Sequence, residues 1–186
     1  ISERLHAAGA NIALHYRRSA DDADALRGRL ESRRTGSVVA LQADLIDVAA
    51  LPGLVEATLA RFGRLDILIN NASSFYPTPL GEITLAHWDD LLGTNLRAPL
   101  FLSQAAAPAL VLNIADIHGQ RPLRHHPVYS AAKAGLIMLT QSLAREMAPR
   151  VRVNAIAPGP VLFPEHGITD AIRDSILDRT LLKRIG

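Results

Sequence analysis

Tyr129 and Lys133 are the residues of this chain best matched to a chemical task. They bracket Tyr129-Ser130-Ala131-Ala132-Lys133, and a spacing of four puts both side chains on one helix face. A free phenol has a pKa of about 10, too high for easy proton transfer near neutral pH. A nearby ammonium favours the phenolate, and lowering the pKa by ~3 units corresponds to ~4 kcal/mol of differential stabilisation. The pair is therefore expected to work as a tuned acid/base. Tyrosine and lysine also meet at this spacing by chance in many helices, so a solvated surface lysine is the competing reading. Against it, the chain has 20 cationic residues, and only Lys133 and Lys183 among them are lysine. A compact ammonium can reach a tyrosine and a ribose together, a task that a guanidinium fits poorly.

A second cluster, Asn70-Asn71-Ala72-Ser73, follows the apolar run Leu65–Asn70 (LDILIN). Ligands of open α/β sheets sit beyond the carboxyl ends of the strands, and small residues there let a cofactor approach the backbone. A plain Asx turn is the alternative. Upstream, a candidate strand ends in His15-Tyr16-Arg17-Arg18-Ser19 with no acid before Asp21. An acidic residue at that point would bind the ribose 2′-hydroxyl of NAD, whereas arginine accommodates the 2′-phosphate of NADP.

The elements that must position these groups alternate between short β-branched runs and longer amphipathic stretches, as expected for βα repeats around a parallel sheet. Expected strands are Asn11–His15, Ser37–Gln42, Leu65–Asn70, Val111–Ile114 and Val151–Ile156. Expected helices are Ser2–Ala8 closed by Gly9, Ser19–Ser32, Val48–Phe62 ended by Gly63, Thr94–Ala109, Val128–Ala148 and Thr169–Arg179. Trp88 is expected to pack a helix. Pro158–Gly167, with three prolines and two glycines, reads as a loop over the site in which His166 could face the mouth. In this reading helix runs directly into strand at Leu110–Val111, which is unusual because such connections take about 2–6 residues.

The 186 residues, 48% of them hydrophobic, suit one domain spanning 1–186. No apolar run reaches the roughly 20 residues that cross a bilayer, so no membrane partner is expected. Cysteine is absent, which excludes disulfides and thiolate metal sites and fits a cytoplasmic location. The net charge is only +2 and the basic pairs lack interleaved aromatics, which argues against nucleic acid. His125-His126 precede Pro127 in a loop, and no HxxxH or HExxH pattern occurs, so no metal is expected.

With Asn70–Ser73, Tyr129–Lys133, Asn95 in Gly-Thr-Asn-Leu and the turn Pro158-Gly159 in this order, the chain resembles the short-chain dehydrogenase/reductase family from Ile1 to Gly186. The resemblance implies a Rossmann-type doubly wound parallel sheet, a nicotinamide cofactor, a Tyr–Lys–Asn proton relay through Tyr129, Lys133 and Asn95, and a homotetramer. It also implies cofactor contacts at Asn71, Ala72, Ser73, Pro158 and Gly159, and an adenine-binding pair at Asp44 and Leu45. A helix-capping aspartate is the alternative for Asp44. The family's first strand, at the centre of its sheet, with the glycine-rich phosphate turn that follows it, and its last strand have no counterpart between Ile1 and Gly186, so the expected domain is incomplete at both ends.

The departures from the family pattern carry the substrate reading. The family usually has serine thirteen residues before the tyrosine, where this chain has Asp116. A carboxylate opposes a developing alkoxide but suits a protonatable ring nitrogen. A loop or helix-cap aspartate is the alternative. Asp116, the stretch Asn71–Pro77 (NASSFYP) and His15–Ser19 are together similar to the pteridine reductases, a subgroup that reduces pterins and folates with NADPH. That likeness implies that Phe75 stacks on the pterin, that Ser73 meets pterin and cofactor, and that His15, Arg18 and Ser19 hold the 2′-phosphate. Arg17 reads as a solvated neighbour. The expected function is NADPH-dependent reduction of a pteridine ring. The alternatives are a ketone or 3-oxoacyl reductase of the same family, and a non-catalytic nucleotide sensor.

Overall fold

The computed structural model describes residues 1–106, 108–161, 169–180 and 182–185. In chain order they form α1 (Ser2–Ala7), β1 (Ile12–Tyr16), α2 (Ala20–Glu31), β2 (Val38–Gln42), α3 (Leu51–Phe62), β3 (Ile67–Asn70), α4 (Leu85–Leu92), α5 (Ala98–Ala106), β4 (Leu110–Ile114), α6 (Pro127–Glu146), β5 (Arg152–Ile156) and α7 (Asp170–Arg179). Local chemistry accounts for several of these boundaries. Gly63, at φ 73°, closes α3 in the left-handed conformation that glycine adopts without a Cβ penalty. Thr84 accepts the His87 amide while the His87 ring bonds back to the Thr84 amide, so a reciprocal cap starts α4. Pro127 occupies the first turn of α6, where its missing N–H costs nothing.

All strand pairs are parallel and helices flank them, a Rossmann-type arrangement. β1 pairs with β2, while β3, β4 and β5 form a second sheet in that order. A Rossmann-type sheet without the family's first strand lacks its centre, and no described strand lies between β1 and β3. A cavity of about 560 Å³ separates them, lined by Ile12, Leu14, Leu41, Ile67 and Ile69. The core is accordingly divided. Ile12, Leu30 and Val38 pack under the first sheet, and Val111, Val151 and Val153 under the second. Leu45, Leu51, Ala98 and Leu102 join α3 to α5. Each fully buried leucine contributes roughly 1.5–3 kcal/mol.

Three expectations about elements need correction. The helix expected from Thr94 is preceded by α4, and between α4 and α5 runs a π-helical segment, Gly93–Arg97. Periodicity does not reveal one extra residue in a turn. Helix α5 ends at Ala106 and β4 begins at Leu110, so residues 107–109 separate them and the abrupt passage disappears. Trp88 is 48% exposed rather than packed. His166 and the rest of the proline-rich loop from 162 to 167 lie outside the described residues.

Candidate active site

The site forms where the carboxyl ends of β3 and β4 meet the first turns of α6. Tyr129 lies in those turns, buried against Leu91 and Val128. Its hydroxyl donates to Asp116 Oδ2 at 2.7 Å. Asp116 follows β4, and its other oxygen accepts the His118 amide at 2.8 Å, capping the short 3₁₀ turn Ile117–Gly119. The capping role and the site role are therefore both present, one on each oxygen. Gly119 brings this turn against α6: a Cβ there would lie 2.8 Å from the Lys133 carbonyl carbon. Only glycine lets the turn sit this close.

Lys133 is 3% exposed and donates from Nζ to the Ile114 carbonyl at 2.9 Å. Its nitrogen sits 5.7 Å from the centroid of the Tyr129 ring. Burial pulls the lysine pKa down, and the Asp116 charge opposes that. The phenol moves the other way. Burial first, then the hydrogen bond to Asp116 and its charge, push the Tyr129 pKa up, with a hydrogen bond to Ser73 opposing. The expected lowering of the phenol by lysine is thus not what this arrangement produces. One of the ammonium's three donors goes to a backbone carbonyl, and the carboxylate facing the hydroxyl favours the protonated phenol.

The π-helical segment places Asn95, 1% exposed, beside the turn after β3. Its Nδ2 donates to the carbonyls of Leu91 and Ser74, both at 2.9 Å. Its Oδ1 accepts from Ser73 Oγ at 2.7 Å. Asn95 so fixes the loop carrying Ser73, which reaches Tyr129 in turn. Such bulges recur at functional sites because they re-aim one side chain. Phe75, on the same loop, is 55% exposed, and its ring meets the Tyr129 ring edge-on with centroids 4.8 Å apart. Asp116, Tyr129, Lys133, Asn95, Ser73 and Phe75 are thereby gathered in one place.

The expected cofactor residues lie along the carboxyl ends of the strands. His15 bonds through Nε2 to the Ala43 carbonyl at 2.9 Å, tying the end of β1 to that of β2. Arg18 and Ser19 are exposed, and Arg18 has no ion-pair partner among the described residues. Ser19 starts α2 without a side-chain cap bond, leaving its hydroxyl for another acceptor. A guanidinium without an ion-pair partner among the described residues and an uncapped hydroxyl offer hydrogen-bond donors of the kind a phosphate group accepts. Asp44 caps the turn after β2 through the Ile46 amide and pairs with Arg17 at 2.8 Å. Leu45 is buried in the α3–α5 core. Asn71, Ala72 and Ser73 are exposed beyond β3, and Gly159 beyond β5. The Pro158 carbonyl accepts the Ile117 amide at 3.2 Å, joining that turn to the one carrying Asp116.

Several site residues escape sequence reasoning. Arg17, read as a solvated neighbour, bridges Asp44 and Asp90, the latter at 3.6 Å. Asp90 accepts from the Tyr76 hydroxyl at 3.0 Å, and burial with this carboxylate pushes Tyr76 up to about 12. A buried chain runs from Asn70 Nδ2 to Asn113 Oδ1 at 2.8 Å, then from Asn113 Nδ2 to Thr140 Oγ1 at 2.9 Å. It locks β3 and β4 to α6. The polar residue inside the apolar strand Leu110–Ile114 was the available signal. His126, read as a plain loop histidine, stacks on Phe75.

The sequence model described as short chain dehydrogenase matches residues 1–168. The chain is 37% identical over 210 aligned residues to pteridine reductase 1 of Leishmania tarentolae, covering 89% of this chain and 73% of that protein. It is 32% identical over 189 residues to the 3-oxoacyl-[acyl-carrier-protein] reductase of Staphylococcus aureus (strain Mu50), covering 97% and 75%. An uncharacterized oxidoreductase of Methylorubrum extorquens is 33% identical over 168 residues, covering 87% of this chain and 67% of the relative.

Proposed function

Because the chain belongs to the short-chain dehydrogenase family of nicotinamide-dependent oxidoreductases, we propose that it reduces a pteridine ring with NADPH. The observation that carries this reading is the Tyr129–Asp116 hydrogen bond of 2.7 Å beside the exposed ring of Phe75. A carboxylate in that position is hostile to a ketone, whose reduction builds negative charge on oxygen. It is well placed for a ring nitrogen, which gains a proton as its neighbouring carbon gains a hydride. The similarity to pteridine reductase 1 over 89% of the chain supports the same substrate class.

The bound nicotinamide supplies the hydride, and the chain's residues manage position and protons. Phe75 offers a face on which a flat ring stacks. Ser73, held by Asn95, meets substrate and cofactor. The protonated Tyr129 phenol and Asp116 hold a proton beside the ring nitrogen and supply it as hydride arrives, and Lys133 lies beneath the phenol to hold cofactor ribose. His15, Arg18 and Ser19 hold the 2′-phosphate, with Asp44, Leu45, Asn71, Ala72, Pro158 and Gly159 along the remaining cofactor path. Met138 on α6 and Trp88 on α4 are exposed, and Trp88 lines a groove with Leu92, Leu96 and Leu139; these apolar side chains support a homotetramer. Among the described residues no helix is long and apolar enough to cross a membrane. A cytoplasmic location belongs to the same proposal.

The decisive experiment follows NADPH oxidation with dihydrobiopterin, dihydrofolate and a 3-oxoacyl thioester. Turnover of either pteridine well above the thioester supports the reading; turnover of the thioester alone rejects it. The 32% identity to an oxoacyl reductase across 97% of the chain makes that thioester the right competitor.

A further inference from the structure

Phe75 sits on a loop without regular structure and is more than half exposed, yet its ring is held. The imidazole of His126 lies parallel to it, with centroids 4.8 Å apart and planes 12° apart. Tyr129 meets the same ring edge-on at 4.8 Å. A parallel ring and a perpendicular one together remove the freedom an exposed phenylalanine would otherwise have.

The backbone around His126 is built to present this ring. His126 precedes α6 and donates its amide to the Leu123 carbonyl at 3.1 Å. Its Nδ1 faces the Arg124 carbonyl at 2.9 Å, so Nδ1 carries the proton and the ring plane is fixed by a hydrogen bond. The preceding His125 has φ 62°, a left-handed conformation uncommon outside glycine. Its carbonyl accepts the Thr78 amide at 2.6 Å. That bond ties the loop before α6 to the loop of Phe75. Local backbone strain and a cross-loop hydrogen bond thus meet at one histidine.

We propose that His126 is a positioning residue that sets specificity for a flat substrate: its stacked imidazole backs Phe75 and holds that ring ready for a planar heteroaromatic on the opposite face. This rests on the pteridine reading above. An acyl ketone has no plane to stack and gains nothing from the arrangement, whereas a pteridine loses binding when Phe75 is free to turn.

The test compares wild type with His126→Ala and His126→Phe, using dihydrobiopterin and saturating NADPH, with thermal melting and NADPH binding measured alongside. The alanine variant is expected to raise KM roughly 3–10-fold, the range of an aromatic pair, and to change kcat little. The phenylalanine variant is expected to restore KM, because it returns a flat ring. If the alanine protein fails to fold, His126→Leu, which fills the space without a plane, takes its place. An alanine or leucine variant with wild-type KM overturns the proposal. Equal increases for alanine and phenylalanine overturn it too, since the ring plane is then not what matters. Wild type inactive on dihydrobiopterin rejects the pteridine reading and this inference together; an active wild type with an indifferent variant rejects the inference alone.

Discussion

The Tyr129 hydroxyl donates to one oxygen of Asp116, at 2.7 Å, while the other oxygen of that carboxylate caps the turn ending at Gly119. One side chain thereby joins the chemistry to the local fold. Asp116→Ser returns the family's usual hydroxyl but removes the proton acceptor facing Tyr129. Dihydropterin kcat/KM is expected to fall by roughly 10²–10⁴-fold, the usual worth of a proton-transfer group. Activity on a ketone is expected to hold or rise. A serine variant as good on dihydropterin as wild type would remove Asp116 from the mechanism.

Tyr129→Phe keeps the ring that packs on Leu91 and Phe75 and deletes only the hydroxyl. Turnover is expected to drop by ~10²–10⁴-fold with NADPH affinity unchanged. Stopped-flow measurement of bound-cofactor oxidation checks this, and a variant retaining most of its kcat would show that another acid supplies the proton.

Lys133 is a buried cation that donates to the Ile114 carbonyl. Burial disfavours that charge more than the Asp116 carboxylate favours it, so an apolar side chain of similar length removes a desolvation cost. Lys133→Met is therefore expected to keep or raise the melting temperature while turnover collapses. Loss of both together would make the lysine structural.

Gly119→Ala sets a methyl group 2.8 Å from the backbone of Lys133. Backbone cannot step aside as a flexible side chain can. A cost of about 1–3 kcal/mol in unfolding free energy is expected, with reduced turnover as Asp116 is displaced. Gly28→Ala, where the new Cβ meets nothing within 4 Å, is the control and should be neutral or stabilising. Urea denaturation of the two variants separates these outcomes.

Arg18 is exposed at the end of β1 without an ion-pair partner among the described residues, whereas Arg17 is engaged by two aspartates. Arg18→Ala should weaken NADPH by roughly 10–150-fold, the worth of charge-assisted bonds to a phosphate, and leave NADH nearly unchanged. Fluorescence titration with both cofactors measures this; equal losses would reject the phosphate pocket.

Glu31 accepts the amides of Gly36 at 2.7 Å and Val38 at 2.6 Å, and these bonds hold its carboxyl below the ordinary value of 4.5. A carboxylate with a depressed folded pKa stabilises the fold above its unfolded value, and that contribution fades as pH falls through the folded one. Wild type should therefore lose stability from about pH 4.5 downward more steeply than Glu31→Gln. Parallel acid-denaturation slopes would contradict this.

The sequence by itself determined the class of fold and named most of the residues that the structure gathers at the candidate site. Alternating strand and helix periods, the apolar run ending at Asn70 and the four-residue step from Tyr129 to Lys133 are local properties, and local geometry preserves them. Tertiary structure decided what those residues do to one another. Helical spacing put Tyr129 and Lys133 on one face, yet the lysine bonds Ile114 and the phenol bonds Asp116. The close approach at Gly119 and the π-helical turn around Asn95 set those partners, and neither has a periodic signature. His126 is the sharpest case. Its residue type announced only a loop histidine, and its role exists because a left-handed His125 and a bond to Thr78 bring two separate loops face to face. Contacts across distant segments depend on distances of a few tenths of an ångström, and chain spacing does not encode those distances.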